Sequence, residues 1–118
     1  MLDTTAIRAY AAKSVAVGEL IGEFSDEGAR FGLPVLCLVE AAKGADEEAR
    51  SRLTILGKHP DAEWLPLDGT QWREIAAAAD LLGTIARACV ALPIAHGQAL
   101  YIITAEQDGY PGFPVIPI

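Results

Sequence analysis

The sequence predicts an α/β domain of three layers, in which a mostly parallel sheet lies between two layers of helices. Segments of strand composition alternate along the chain with segments of helical periodicity. This alternation is typical of parallel sheets, because a crossover is needed to bring the chain back to the same edge. The chain has 118 residues, which fits a single domain over residues 1–118 with one core.

The composition narrows the classes of function. The chain is 52% hydrophobic and 21% charged, as expected of a globular domain. Its formal net charge of −7 disfavours sequence-independent binding of nucleic acid, which needs clustered basic residues. No apolar run reaches the roughly 20 residues of a membrane span, and the start lacks the order of a signal peptide. We therefore expect a cytoplasmic protein with no membrane partner, in which Cys37 and Cys89 are reduced core residues.

The first half of the chain begins with a very short apolar strand, followed by Asp3 and by Thr5 as a cap of the first helix. Helices are predicted over residues 5–12, 15–27 and 47–56. The apolar run 33–39 fits either a strand buried on both faces or a strand that passes directly into a buried helix. In either case Pro34 is expected at the start of the strand, since it cannot donate a ladder hydrogen bond.

The second half continues the alternation. Strands are predicted over residues 62–67, 99–104 and 115–118, and helices over residues 72–82 and 84–95. Asp68 and Gln71 have the spacing of a capping box at the start of the first of these helices. Pro93 predicts a kink or an early end in the second helix. The proline of the last strand indicates an edge position in the sheet.

Carboxylates follow three separate predicted strands. Asp3 follows the first, Glu40 lies about one helical turn beyond the strand part of the run 33–39, and Glu106 follows the strand 99–104. If these strands are parallel, the three side chains project from the edge of the sheet where α/β proteins bind ligands. Like charges gathered there repel, and a hard divalent cation is the usual resolution. The alternative for Asp3 is an ordinary helix cap.

The motifs around these carboxylates share an order and a spacing with a known family. They are Leu2-Asp3-Thr4-Thr5-Ala6, Leu38-Val39-Glu40-Ala41 and Ile103-Thr104-Ala105-Glu106, and the chain ends in Tyr110-Pro-Gly-Phe-Pro-Val-Ile-Pro-Ile. Together they resemble the L-D-T-S/T-A opening, the second motif, the T-x-D motif and the closing strand of PIN-domain proteins. That family includes metal-dependent ribonucleases, among them toxins of bacterial toxin–antitoxin pairs. The resemblance extends over nearly the whole chain.

The resemblance implies a site that holds Mg²⁺ or Mn²⁺ between Asp3 and Glu106. Glu40 would orient a metal-bound water for attack on an RNA phosphodiester, and the cation would stabilise the developing charge. Thr5 and Thr104 would position the carboxylates. The implied partners are an RNA substrate, an antitoxin or other protein, and a second copy of the chain in a homodimer.

The sequence departs from the family pattern at Thr84. The family usually carries an aspartate there, in the pattern G-D-x-x-x-A, whereas this chain reads Gly83-Thr84-Ile-Ala-Arg-Ala88. A neutral hydroxyl supplies no charge to a cation. Glu106 also replaces an aspartate and is one methylene longer. Asp80 and Asp108 are possible substitutes, although an exposed helix position and an ordinary Asp-Gly turn explain them equally well.

These departures lead us to expect a PIN-like protein with attenuated or absent ribonuclease activity. One alternative is an active Mg²⁺- or Mn²⁺-dependent ribonuclease toxin that uses Asp3, Glu40 and Glu106. Another is a non-catalytic interaction or regulatory module. Nucleotide binding through a glycine-rich phosphate loop is disfavoured, because the chain contains neither G-x-x-x-x-G-K-S/T nor G-x-G-x-x-G.

Overall fold

The computed structural model describes residues 1–118 and contains both helices and strands. The helices are α1 (Thr4–Ala11), α2 (Val15–Asp26), α3 (Val35–Ala42), α4 (Glu47–Gly57), α5 (Trp72–Leu82) and α6 (Ile85–Ala95). The strands are β1 (Phe31–Pro34), β2 (Ala62–Leu65), β3 (Ile102–Thr104) and β4 (Val115–Pro117). Single 3-10 turns lie at Gly69–Gln71 and Gln107–Gly109. The protein therefore has the α/β character that the alternation predicts.

The strands form two parallel pairs. In one pair β1 lies beside β2, with Phe31 opposite Ala62 and Pro34 opposite Leu65. In the other, β3 lies beside β4, with Ile102 opposite Val115. Only β3 pairs with β4, so the last strand occupies the edge position that its proline predicts.

The first three residues hydrogen-bond to both strand pairs. Leu2 forms a parallel bridge with Ile103, and the Ile103 amide donates to the Met1 carbonyl at 2.8 Å. On the other side, the Leu2 amide donates to the Gly32 carbonyl at 3.0 Å. This segment is too short to count as a strand, yet it places Asp3 directly after a stretch bonded to β1 and β3.

The core joins these backbone elements through apolar side chains. Helix α1 contacts α2, α3 and α4, helix α6 contacts α3 and β3, and α5 packs on α6. The largest fully buried apolar side chains are those of Phe31, Leu2, Ile7, Leu33, Leu56, Ile102, Ile103, Val17 and Val90. Burial of one such side chain contributes about 1.5–3 kcal/mol, so the elements that carry Asp3 are held by the core rather than by local propensity.

The run 33–39 follows the second of its two predicted descriptions, a strand that passes directly into a helix. The expectation that Pro34 begins the strand is wrong, because Pro34 is the last residue of β1 and the N-cap of α3. The first backbone N–H groups of a helix have no intrahelical acceptor. The missing N–H of Pro34 therefore costs little stability at this position.

Two predicted caps differ in the structure. Asp3 caps α1 by accepting a hydrogen bond from the Ala6 amide, so Thr5 is not the cap. Asp68 accepts from the Thr70 amide within a 3-10 turn, and Gln71 makes no side-chain cap hydrogen bond. The capping box is therefore not formed, because the 3-10 turn separates Asp68 from the start of α5 at Trp72.

Of two further boundaries, one agrees with expectation and one differs. Helix α6 ends at Ala95, the predicted last residue, so Pro93 does not end it early. Strand β3 is shorter than the predicted 99–104, because only Ile102–Thr104 pairs with β4. No single helix is long and apolar enough to cross a bilayer, although Gly69–Leu82 and Ile85–Ala95 meet the length and composition criteria as a pair bent by 110°.

Candidate functional site

Asp3 is a buried carboxylate, with 3% of its surface exposed. It is the N-cap of α1, where the helix dipole favours a negative charge. Its Oδ1 accepts a hydrogen bond of 3.0 Å from the Ala6 amide and one of 2.6 Å from the Thr5 hydroxyl. Residues that follow Asp3 in the chain thus donate two of the hydrogen bonds that a buried carboxylate needs.

The second oxygen of Asp3 is bound by side chains from the far end of the chain. Its Oδ2 accepts from the Thr104 hydroxyl at 2.6 Å and from the Tyr110 hydroxyl at 3.0 Å. An ionised carboxylate offers about four lone-pair positions. Four donors occupy them here, so Asp3 is saturated by the protein itself.

The two threonines also hold the loop that follows β3. The Glu106 amide donates to the Thr104 hydroxyl oxygen at 2.9 Å, and the Ala105 amide donates to the Thr5 hydroxyl oxygen at 2.8 Å. Each hydroxyl therefore donates to Asp3 and accepts from the loop. This network connects Glu106 to Asp3 through its backbone rather than through its carboxylate.

Glu40 lies on α3, as predicted, and is partly exposed. Its Oε2 accepts a hydrogen bond of 3.3 Å from the Thr4 hydroxyl, and its backbone carbonyl accepts one of 3.2 Å from Arg8. Thr4 and Asp3 are neighbours in the chain, so Glu40 belongs to the surroundings of Asp3. The two carboxylates share no hydrogen-bond donor.

Glu106 is paired with a cation of the protein. The Arg87 guanidinium contacts its Oε2 at 2.8 Å and also donates to the Leu82 carbonyl at 3.0 Å. The same guanidinium lies 5.9 Å from the centre of the Tyr110 ring. A Cβ at Gly109 would come within 2.7 Å of Arg87 Cζ, so the glycine leaves room for this arrangement.

Thr84, the position of the expected aspartate, is the N-cap of α6. Its hydroxyl oxygen accepts a hydrogen bond of 3.1 Å from the Arg87 amide, and the residue is exposed. The two possible substitutes are also exposed, Asp80 on α5 and Asp108 in the 3-10 turn after Glu106. Neither hydrogen-bonds to any of the three carboxylates that the sequence singles out.

Burial keeps the Tyr110 phenol and the Cys37 thiol, two ionisable groups near Asp3, protonated. Burial raises the pKa of the Tyr110 phenol far above its ordinary range, and the negative charge of Asp3 raises it further. Burial also raises the pKa of the Cys37 thiol to about 12, and that thiol donates to the Ala86 carbonyl. Tyr110 is therefore a neutral hydrogen-bond donor at neutral pH.

The carboxylates of Asp3 and Glu106, which the resemblance implies as metal ligands, already bind groups of the protein. No three His, Cys, Asp or Glu side chains are grouped so that they could hold a metal ion. No buried side-chain nitrogen or oxygen lacks a hydrogen-bond partner. The Asp3 oxygens are occupied and Arg87 neutralises Glu106. A metal would have to displace protein donors from the residues that the resemblance implies as its ligands.

Sequence reasoning missed Arg87, Tyr110 and Thr4. Arg87 lies three residues after Thr84, within the first turn of α6, a position from which its side chain reaches Glu106. Tyr110 lies just before the closing strand and gives no local sign that it contacts Asp3. No protein-family model matches the chain, and no curated protein matches it.

Proposed function

We propose that this chain is a PIN-like protein, related to metal-dependent endoribonucleases, with attenuated or absent catalytic activity. The motifs around Asp3, Glu40 and Glu106 support the relation. The hydrogen bonds of residues 1–3 also support it, because a parallel bridge of Leu2 with Ile103 and a hydrogen bond from Leu2 to Gly32 link the two strand pairs in the order β2, β1, residues 1–3, β3, β4. With helices on its two faces, that order would make the three-layer α/β/α sandwich predicted from the sequence.

The saturation of Asp3 is the observation that carries the proposal. Metal-dependent hydrolysis needs carboxylate oxygens free to bind the cation and an open coordination position for water. Thr5, Ala6, Thr104 and Tyr110 already donate to Asp3. Displacing the Tyr110 hydroxyl would leave a buried donor unpaired, which costs about 1–3 kcal/mol.

The pair between Arg87 and Glu106 adds a second obstacle. A guanidinium neutralises a carboxylate as a cation does, but it stays protonated and supplies no bound water to activate. The neutral side chain of Thr84 adds no negative charge that could help to bind a metal. The negative charge of Asp3 is thus compensated by hydrogen bonds from the protein, and that of Glu106 by Arg87.

The first alternative is an active ribonuclease toxin that uses Asp3, Glu40 and Glu106 with Mg²⁺ or Mn²⁺. It would require Tyr110 and Arg87 to move away when the cation binds. The partial exposure of Glu40 favours this alternative, because one of its oxygens remains free for water.

The second alternative is an interaction module that acts through an antitoxin, another protein or a second copy of the chain. Helix α5 favours it, since Trp72 is 61% exposed and Leu81 is 84% exposed. Exposed apolar side chains of this size are frequent at protein–protein contacts.

A cleavage assay on a fluorogenic RNA, with Mg²⁺ and with Mn²⁺, tests the proposal. We expect wild type to cleave little or no faster than Asp3→Asn or Glu40→Gln. Circular dichroism spectra of the three proteins must agree, so that loss of folding is not mistaken for loss of chemistry. Rapid metal-dependent cleavage by wild type that both substitutions abolish would establish an active ribonuclease instead.

A further inference from the structure

A shallow basic pocket lies between α1, α3 and α4, on the side of α1 away from its Asp3 cap. Its volume is about 390 Å³. Arg8, Lys43 and Arg52 contribute cationic side chains to its wall, whereas Asp46 contributes the single carboxylate. A local excess of positive charge is notable in a chain of net charge −7.

Two of the three cations have no carboxylate partner. Lys43 is exposed and forms no ion pair, and Arg8 donates only to the neutral carbonyl of Glu40. The third cation, Arg52, already has a carboxylate partner, because its guanidinium contacts the Glu48 carboxylate at 2.8 Å. An anion entering the pocket would therefore meet charges that the protein leaves uncompensated.

The rest of the wall is made of small side chains. They are those of Ala11, Ala12, Ala41, Gly44, Ala45 and Ala49. Small residues keep the depression open between the long cationic side chains. The volume lies at the lower end of the range of small-molecule pockets.

We propose that this pocket binds the phosphate group of a small molecule. The planar fork of arginine matches phosphate oxygens in pairs, and lysine adds a point charge. A long nucleic acid is a poorer fit, since three cations cannot offset the repulsion between its backbone and a protein of net charge −7. This inference does not depend on the PIN-like proposal, because none of the three cations contacts the carboxylate of Asp3, Glu40 or Glu106, and Arg8 contacts only the backbone carbonyl of Glu40.

An NMR titration of the full chain at low ionic strength tests the pocket. The probes are inorganic phosphate and adenosine monophosphate, which separate a free phosphate ion from a phosphorylated small molecule. We expect saturable shifts of the Gly44 and Ala45 amides with at least one probe. Lys43→Gln should weaken that binding roughly tenfold, as expected for the loss of one charged hydrogen bond. The matched control is Lys58→Gln, which makes the same charge change at an exposed lysine outside the pocket.

Three results would overturn the inference. The first is the absence of saturable shifts in wild type with either probe. The second is an equal loss of affinity in Lys43→Gln and Lys58→Gln, which would reflect net charge alone. The third is an oligoribonucleotide without a terminal phosphate that binds the same amides more tightly than adenosine monophosphate, since that would identify RNA as the ligand.

Discussion

The Tyr110 hydroxyl donates a hydrogen bond of 3.0 Å to Oδ2 of Asp3, across 107 residues of chain. Both residues are buried, so this bond forms away from competing water. It supplies the fourth donor to a carboxylate that a metal-dependent hydrolase would leave partly free. The stability of the protein and the chemistry of its site therefore depend on the same contact.

Tyr110→Phe should destabilise the protein by about 2 kcal/mol. The substitution keeps the ring but removes one hydrogen bond from a buried charge, and such bonds are worth about 1.5–3 kcal/mol. Urea unfolding measures the change in the free energy of unfolding. Tyr101→Phe is the matched control, because Tyr101 is half exposed and its hydroxyl makes no hydrogen bond, so we expect a change within about 0.5 kcal/mol. Equal losses in the two variants would contradict the role of the Tyr110 hydroxyl.

The contribution of Tyr110 should decline at alkaline pH. The pKa of the Tyr110 phenol is raised in the folded protein, mainly by burial, whereas the unfolded phenol ionises at about pH 10. Above that pH the unfolded chain loses a proton that the folded chain keeps, so stability falls. The difference in unfolding free energy between wild type and Tyr110→Phe should be constant below about pH 10 and shrink above it. Urea unfolding at a series of pH values measures it, and a difference that grows with pH would show that the sign is wrong.

The sequence predicted the element order well because periodicity is a local signal. It also identified the place of Asp3 after a short apolar start. It could not choose between strand and helix for the run 33–39, since continuous apolar composition fits both. Tyr110 and Arg87 were missed because their contacts with Asp3 and Glu106 are made by tertiary packing. Spacing along the chain carries no information on such contacts.

The two cysteines should differ in reactivity. Both are free thiols, and burial raises the pKa of each, that of Cys37 to about 12. The thiolate is the reactive form, and Cys89 is only partly buried, so Cys89 should react faster in the folded protein. A chromogenic disulfide reagent should count two thiols in urea under non-reducing conditions. In Cys89→Ser only a slow reaction should remain before unfolding, and a fast one would contradict the burial of Cys37.

Thr84 should accept aspartate without loss of stability. Asp is at least as good an N-cap as Thr, and the Arg87 amide that Thr84 caps would keep its acceptor. We expect Thr84→Asp to change the unfolding free energy by less than about 0.5 kcal/mol, whereas Thr84→Ala should lose about 1 kcal/mol. Thermal melting compares the three proteins. If the aspartate variant were less stable than the alanine variant, repulsion from Asp3 and Glu106 would outweigh the cap.

We propose that the protein itself occupies atoms that would hold a metal, namely both oxygens of Asp3 and one oxygen of Glu106. Thermal melting of wild type in increasing Mn²⁺ tests it most directly, because a cation that binds only the folded state raises the melting temperature. We expect no Mn²⁺-dependent rise in the melting temperature of wild type. A site that binds the metal would gain about 2.7 kcal/mol at a hundredfold excess over Kd. A rise of that size in wild type, absent in Asp3→Asn, would contradict the account and indicate an intact metal centre.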